Sequence, residues 1–166
     1  VGMLGVIEDV RRRLRQGFRD PGDVIVLLGV TKQELGGSVW EDVLFDHHLG
    51  GLPPFPDLAA EQKLAALLCD VATRGMVSSV PALSEGGLAV ALTEACLRNH
   101  RGARVRLPGS LDACAELFSE TPARVLVSVS PDQLEGFEQA CGAKDVPLTR
   151  IGEVSDSADL EVEGLF

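Results

Sequence analysis

Short apolar segments with strand character alternate with amphipathic helical segments along most of this chain. The apolar run at 24–30 is typical of a strand buried on both faces. A long helix is predicted to begin after Asp57, which can cap its first amides, and to end near Gly75, which accepts the left-handed C-cap conformation. A further strand at 123–129 leads into Ser130-Pro131-Asp132-Gln133, which predicts a helix start with Ser130 as N-cap and Gln133 completing a capping box. Regular alternation of this kind predicts an α/β domain.

We therefore predict an α/β (α+β) fold, a two-layer sandwich with a mixed sheet and its helices on one face. The 166 residues, 45% hydrophobic with a mean hydropathy of +0.16, suffice for one domain with its own core, so 1–166 is treated as a single domain. The remaining predicted elements are strands at 3–8, 103–107, 146–151 and 160–165, and helices beginning near Val39, Ser84 and Ser110.

Composition argues against several classes of function. With a net charge of −10, the chain repels nucleic acid and anionic membranes over most of its surface. The basic segment Arg11–Arg15 is interpreted as a solvated helix face. The cysteines have no Cys-x-x-Cys pair, which favours small buried side chains in a reducing cytoplasm over a zinc or redox motif. They are Cys69, Cys96, Cys114 and Cys141.

The strongest candidate for a ligand site is Ser84-Glu85-Gly86-Gly87, directly before a predicted helix. Apolar residues recur behind it with helical spacing, which places the helix start at the glycines. The first amides of a helix lack internal partners, and glycine has no Cβ to keep a phosphate oxygen away. We assign Ser84, Glu85, Gly86 and Gly87 as a weak phosphate or ligand site. A tight turn with no ligand explains the same pattern.

Other candidate chemistry has less support. Asp46-His47-His48 suggests a metal or a general base, but adjacent helical side chains point about 100° apart. No P-loop, dinucleotide fingerprint or Gly-x-Ser-x-Gly elbow is present. We assign no catalytic residue and no metal ligand.

Several motifs, in this order, resemble phosphoribosylformylglycinamidine synthase, specifically the C-terminal region of its large synthetase subunit. The resemblance runs from 4–9 to 151–154 and covers nearly the whole chain. The motifs are the strand ending at Leu28-Gly29, Glu34-Leu35-Gly36-Gly37-Ser38, Gly50-Gly51-Leu52-Pro53-Pro54 and Ser84-Glu85-Gly86-Gly87-Leu88.

The resemblance implies a C-terminal domain like that of aminoimidazole ribonucleotide synthetase, within a purine-biosynthesis enzyme. The implied reaction converts formylglycinamide ribonucleotide to its amidine with ATP, Mg²⁺ and glutamine-derived ammonia. Implied partners are the preceding domains of the synthetase, a glutaminase and a small accessory subunit, with neither nucleic acid nor membrane. Relatives carry an Asp two positions before the serine of the Gly-Gly motif, where this chain has Ala82. That departure favours a structural role for the loop.

Two hypotheses follow. In the first, the chain is a C-terminal fragment of the longer synthetase, with mainly structural and interface duties and no catalysis or cofactor of its own. The absence of an initiator methionine at Val1 agrees with this expectation. In the second, the chain is a freestanding module that binds a phosphorylated metabolite at Gly86-Gly87.

Overall fold

The computed structural model describes residues 2, 4–46 and 51–166. Across these ranges, none of the helices combines the length and apolar character that crossing a membrane requires. The candidates His47 and His48, and Gly50 of the Gly-Gly-Leu-Pro-Pro motif, lie outside the described residues.

Strands and helices occur close to the predicted positions. The strands are β1 (Val24–Leu28), β2 (Gly102–Val105), β3 (Val125–Val129), β4 (Leu148–Ser155) and β5 (Leu160–Val162). The helices are α1 (Val39–Phe45), α2 (Leu58–Arg74), α3 (Gly87–Asn99), α4 (Ala113–Phe118) and α5 (Pro131–Ala143), with a 3-10 helix at Val10–Arg12.

The strands form one mixed sheet in the order β3-β1-β4-β2-β5. β1 pairs antiparallel with β3 and β4, β2 pairs antiparallel with β4, and the β2–β5 pair is parallel. The mixed sheet and the α/β class confirm the predicted fold class.

The helices cover both faces of the sheet, so their predicted placement on one face was wrong. Val26 and Leu28 of β1 point into one core, which they share with α2 and α5. Ile25 and Leu27 point into the opposite core, which they share with α3. Successive strand residues face opposite sides, so an uninterrupted apolar strand needs a cover on each.

Some local predictions also need correction. Residues 4–8 form no strand. The N-cap of α4 is Asp112 rather than Ser110, and its side chain accepts from the Ala115 amide at 3.0 Å. Ser130 caps α5 as predicted but makes no side-chain cap hydrogen bond, so it forms no capping box. The caps of α2 at Asp57 and Gly75 are confirmed.

Candidate functional site

The Gly-Gly pair lies at the start of α3, as predicted, in a conformation that favours glycine. Gly86 is the N-cap with φ 75°, and Gly87 follows with φ 61°. The end of α4 comes very close to the second glycine. A Cβ on Gly87 would lie 2.5 Å from the carbonyl oxygen of Ser119 and 2.8 Å from that of Leu117. Gly87 is therefore required by the contact between α3 and α4.

Both glycine amides already have partners within the protein. The Gly86 amide donates to Oε1 of Glu120 at 2.8 Å, and the Gly87 amide donates to the Ser84 carbonyl oxygen at 3.0 Å. The same Oε1 accepts from the amide of Val39, the first residue of α1, at 2.9 Å. A carboxylate oxygen of the protein thus lies where the sequence predicts a phosphate oxygen, between two helix starts that favour negative charge.

The other two predicted site residues lie at the surface. Ser84 and Glu85 are exposed, whereas Gly86 and Gly87 are buried. Ala82, at the position where the resemblance expects Asp, forms an isolated β-bridge with Val125 of β3. The amides of the two buried glycines are thus used for contacts within the protein, while Ser84 and Glu85 lie at the surface beside them.

A buried arginine stabilises the segment that carries Glu120. Arg124 is 5% exposed, and its guanidinium donates to the carbonyl oxygens of Ser119 and Thr121 and to the Thr31 hydroxyl. Burial lowers the pKa of Arg124 to about 10, and the nearby charge of Glu34 opposes this shift. The buried cation therefore holds 119–124 against the loop that follows β1.

Ser119 reinforces this contact between loops. Its hydroxyl accepts from the Glu34 amide at 3.1 Å and donates to the Lys32 carbonyl oxygen at 2.6 Å. Sequence reasoning missed Ser119, Glu120 and Arg124, because no local motif marks them and each has a partner more than 30 residues away, namely the Glu34 amide, the Gly86 amide and the Thr31 hydroxyl. The Glu-Leu-Gly-Gly-Ser motif of the resemblance was the one available signal, since its glutamate amide is a partner of Ser119.

That motif forms a tight start for α1. Ser38 is the N-cap, and its hydroxyl accepts from the Glu41 amide at 3.2 Å. The Glu41 carboxylate in turn accepts from the Gly37 amide at 2.6 Å. The segment 51–53 packs against these glycines, and a Cβ on Gly36 would lie 2.9 Å from the Leu52 carbonyl oxygen. Glu120 joins the first and last of the three Gly-Gly motifs, because it contacts the starts of both α1 and α3.

A separate cleft of about 370 Å³ opens between the loop after β1 and the start of α2. Its lining is mostly apolar and includes Val30, Leu64 and Pro147. At its rim, the Lys63 ammonium pairs with the Asp145 carboxylate at 2.5 Å. The cleft does not include the glycines of α3.

The described residues contain no preformed cluster of metal ligands. Within 4–46 and 51–166, no three His, Cys, Asp or Glu side chains are placed to hold a metal ion together. Burial raises the pKa of both Cys96 and Cys141 to about 11, which disfavours a nucleophilic thiolate at neutral pH. We therefore assign no nucleophilic role to Cys96 or Cys141.

Comparison with known proteins places this geometry in a family. Residues 20–164 match the family described as AIR synthase related protein, C-terminal domain. The chain belongs to this family. This match, together with the curated relatives of the chain, confirms the family recognised from the sequence.

Curated relatives of this AIR synthase related domain are subunits of one enzyme. The chain is 51% identical over 166 residues to phosphoribosylformylglycinamidine synthase subunit PurL of Cutibacterium acnes. It is 47% identical over 168 aligned residues to the subunit of the same name from Nocardia farcinica. Both alignments cover 100% of this chain but only 22% of the relative.

Solved structures share the fold of this AIR synthase related domain. Thermotoga maritima PurL complexed with ATP superposes with a TM-score of 0.75 at 20% identity, over 92% of this chain and 25% of that chain. The PurLQS structure from Thermotoga maritima gives a TM-score of 0.73 at 20% identity, over 92% of this chain and 25% of that one.

Proposed function

We propose that this chain is the C-terminal domain of an ATP-dependent ligase of purine biosynthesis. The whole enzyme converts formylglycinamide ribonucleotide to formylglycinamidine ribonucleotide with ATP and glutamine-derived ammonia. The observation that carries the proposal is the 51% identity to Cutibacterium acnes PurL over every residue of the chain. Because the chain spans 22% of that relative, the activity is proposed for the longer protein.

Within that enzyme, we assign the chain a mainly structural and interface role. The geometry of the Gly-Gly helix start supports this role, because the Gly86 and Gly87 amides bind Glu120 and Ser84 rather than facing an open site. Ser84 and Glu85, which are exposed beside the buried glycines, are proposed only as a weak ligand site. The alternative, a freestanding module that captures a phosphorylated metabolite, needs the amides that these contacts occupy.

Cofactors and partners are proposed for the whole synthetase. A related PurL is described as complexed with ATP, and another structure is described as PurLQS, which support nucleotide binding and partner subunits for this enzyme. We propose that ATP and Mg²⁺ bind mainly to other parts of the synthetase. Its glutaminase and small accessory subunit associate with the complete protein, and the complex is cytoplasmic.

A domain exchange tests the proposal. The segment of Cutibacterium acnes PurL that aligns with this chain is replaced by the 166 residues, which gives a chimera of full length. Formation of the amidine product is measured with ATP, formylglycinamide ribonucleotide and excess ammonia, which bypasses the glutaminase.

We expect the chimera to make the product, and we expect the same PurL without the segment to make none. A soluble chimera without activity, beside an active unmodified PurL, would contradict the proposed function.

A further inference from the structure

Helix α1 exposes its apolar side chains and buries an acidic one. Val43 is 72% exposed and Leu44 is 60% exposed, whereas Glu41 is 3% exposed. A surface helix of a globular protein normally buries its apolar stripe and exposes its charges. Val43, Leu44 and Glu41 therefore depart from the usual pattern, although Trp40 of the same helix is half-buried and Asp42 is exposed.

Hydrogen bonds fix this orientation. The buried Glu41 carboxylate accepts from the Gly37 amide, and the Ser38 hydroxyl accepts from the Glu41 amide. At the same end, the Val39 amide donates to Glu120. The first two bonds lie within 37–41 and would turn with the helix, whereas the bond to Glu120 anchors α1 to a distant segment of the chain. Rotation of α1 to bury Val43 and Leu44 would break that bond. The apolar side is consequently held outward.

The segment 51–55 also exposes apolar side chains. Leu52 is 89% exposed and Phe55 is 88% exposed. They flank Pro53, whose Cα lies 3.7 Å from where a Cβ on Gly37 would be, so they emerge beside the start of α1. We call the side chains of Val39, Val43, Leu44, Leu52 and Phe55 the α1 surface.

We propose that the α1 surface docks against the rest of the synthetase polypeptide, outside these 166 residues. The inference rests on the proposed function and adds the position of the interface. Since the chain spans 22% of PurL from Cutibacterium acnes, most of that polypeptide is available as the partner. A large exposed apolar area is typical of an interface.

The partner surface is apolar at its centre. Such a contact would cover the side chains of Val43 and Leu44, which are otherwise exposed to water.

Hydrogen–deuterium exchange of the full-length chimera tests the interface directly. Peptides covering 39–46 and 51–58 are compared between the chimera and the isolated 166-residue chain. We expect both peptides to exchange at least about 10-fold more slowly in the chimera, because docking excludes water and suppresses local opening. Equal exchange rates in the two proteins would overturn the proposal.

Matched variants connect the protection to the α1 surface. Leu44→Glu places a charge in the surface, and Leu97→Glu makes the same change at a leucine of α3 that is 66% exposed. We expect Leu44→Glu to abolish the protection and to reduce chimera activity at least 10-fold, while Leu97→Glu leaves both unchanged. Both isolated variants should melt near the wild-type temperature, because each substituted side chain is exposed.

The outcomes separate the two proposals. An inactive chimera with protected peptides would contradict the proposed function but would still support docking at the α1 surface. An active chimera without protection would overturn the interface alone. If the isolated chain sediments as a dimer that Leu44→Glu dissociates, a second copy occupies the α1 surface, and the inference is wrong.

Discussion

The carboxylate of Glu120 accepts a hydrogen bond of 2.8 Å from the amide of Gly86, at the start of α3. The same oxygen accepts from Val39 at the start of α1, so one side chain joins two helices that are distant in sequence. An anion therefore already occupies this helix start, and it is part of the chain. This relationship gives the Gly-Gly motif a structural purpose that needs no ligand.

Removal of the Glu120 carboxylate should destabilise the domain. We expect Glu120→Ala to lower the free energy of unfolding by about 2 kcal/mol, because two amides at helix starts lose a charged acceptor. Glu120→Gln keeps one oxygen acceptor and should cost less. Urea unfolding followed by circular dichroism measures both, with Glu85→Gln at the exposed rim as the control. Equal stability of Glu120→Ala and the control would show that the bridge contributes nothing.

Gly87 should tolerate no side chain. Its positive φ disfavours other residues, and a Cβ would lie 2.5 Å from the Ser119 carbonyl oxygen. Gly75 provides a matched control, because its φ of +65° is similar while nothing lies within 4 Å of where a Cβ on Gly75 would be. We expect Gly75→Ala to cost about 1 kcal/mol from conformation alone, and Gly87→Ala to cost about 3 kcal/mol or more. Similar melting temperatures for the two variants would contradict a steric requirement at Gly87.

Phosphate should bind poorly to the wild-type helix start. Because Glu120 occupies the Gly86 amide, we expect only millimolar or weaker affinity, detected as small shifts of the Gly86, Gly87 and Leu88 amide resonances. In Glu120→Ala, the free amides and the lost negative charge should increase both the shifts and the affinity. Shifts confined to 11–15 would instead place anion binding at the arginine cluster.

Stability should depend on pH through Asp23. Burial raises the pKa of Asp23, and the charge of Asp20 contributes, while hydrogen bonds with Ser78 and Ser128 oppose the shift. The folded state then binds the proton more tightly than the unfolded state, so wild type loses stability as pH rises through this raised pKa. Relative to wild type, Asp23→Asn should therefore become more stable as pH rises from about 4, the ordinary aspartate range. Urea midpoints of both proteins across this range measure the difference.

Glu138 provides a control for Asp23, because its pKa is shifted in the opposite direction. Its hydrogen bond with Arg150, 2.6 Å long, lowers the pKa of Glu138. Wild type should therefore gain stability relative to Glu138→Gln as pH rises through that lowered pKa. The same trend in both pairs would point to a general effect of charge and refute the assignment to Asp23.

Sequence patterns located most elements because their signals are local. Asp57 and Gly75 define α2 through capping, and the apolar run at 24–28 defines β1. That run also contained the evidence for helices on both faces, since Ile25 and Val26 point into opposite cores. We predicted helices on one face from the order of strands and helices along the chain. The apolar residues of β1 do not alternate with polar ones, which indicates a strand covered on both faces, and the prediction did not use this signal.

The candidate site was less predictable, because its contacts join distant segments. Spacing placed the Gly-Gly pair at the start of α3, yet Glu120 lies 34 residues beyond Gly86 in the sequence. No local pattern indicates that a glutamate after α4 will reach that amide. The buried guanidinium of Arg124, which holds the Glu120 segment, is equally non-local, since its partner Thr31 is 93 residues away.

The isolated chain should be catalytically silent. Phosphoryl transfer needs a metal-bound nucleotide, and magnesium needs converging carboxylates or amides beside the phosphates. Within 4–46 and 51–166, no three His, Cys, Asp or Glu side chains converge in that way, and the Gly86 amide is occupied by Glu120. We expect the purified 166 residues to hydrolyse no ATP above background and to form no amidine product with excess ammonia. Substrate-dependent ATP turnover that survives repurification, and that a Gly86/Gly87 double variant lacks, would make this domain a minimal enzyme.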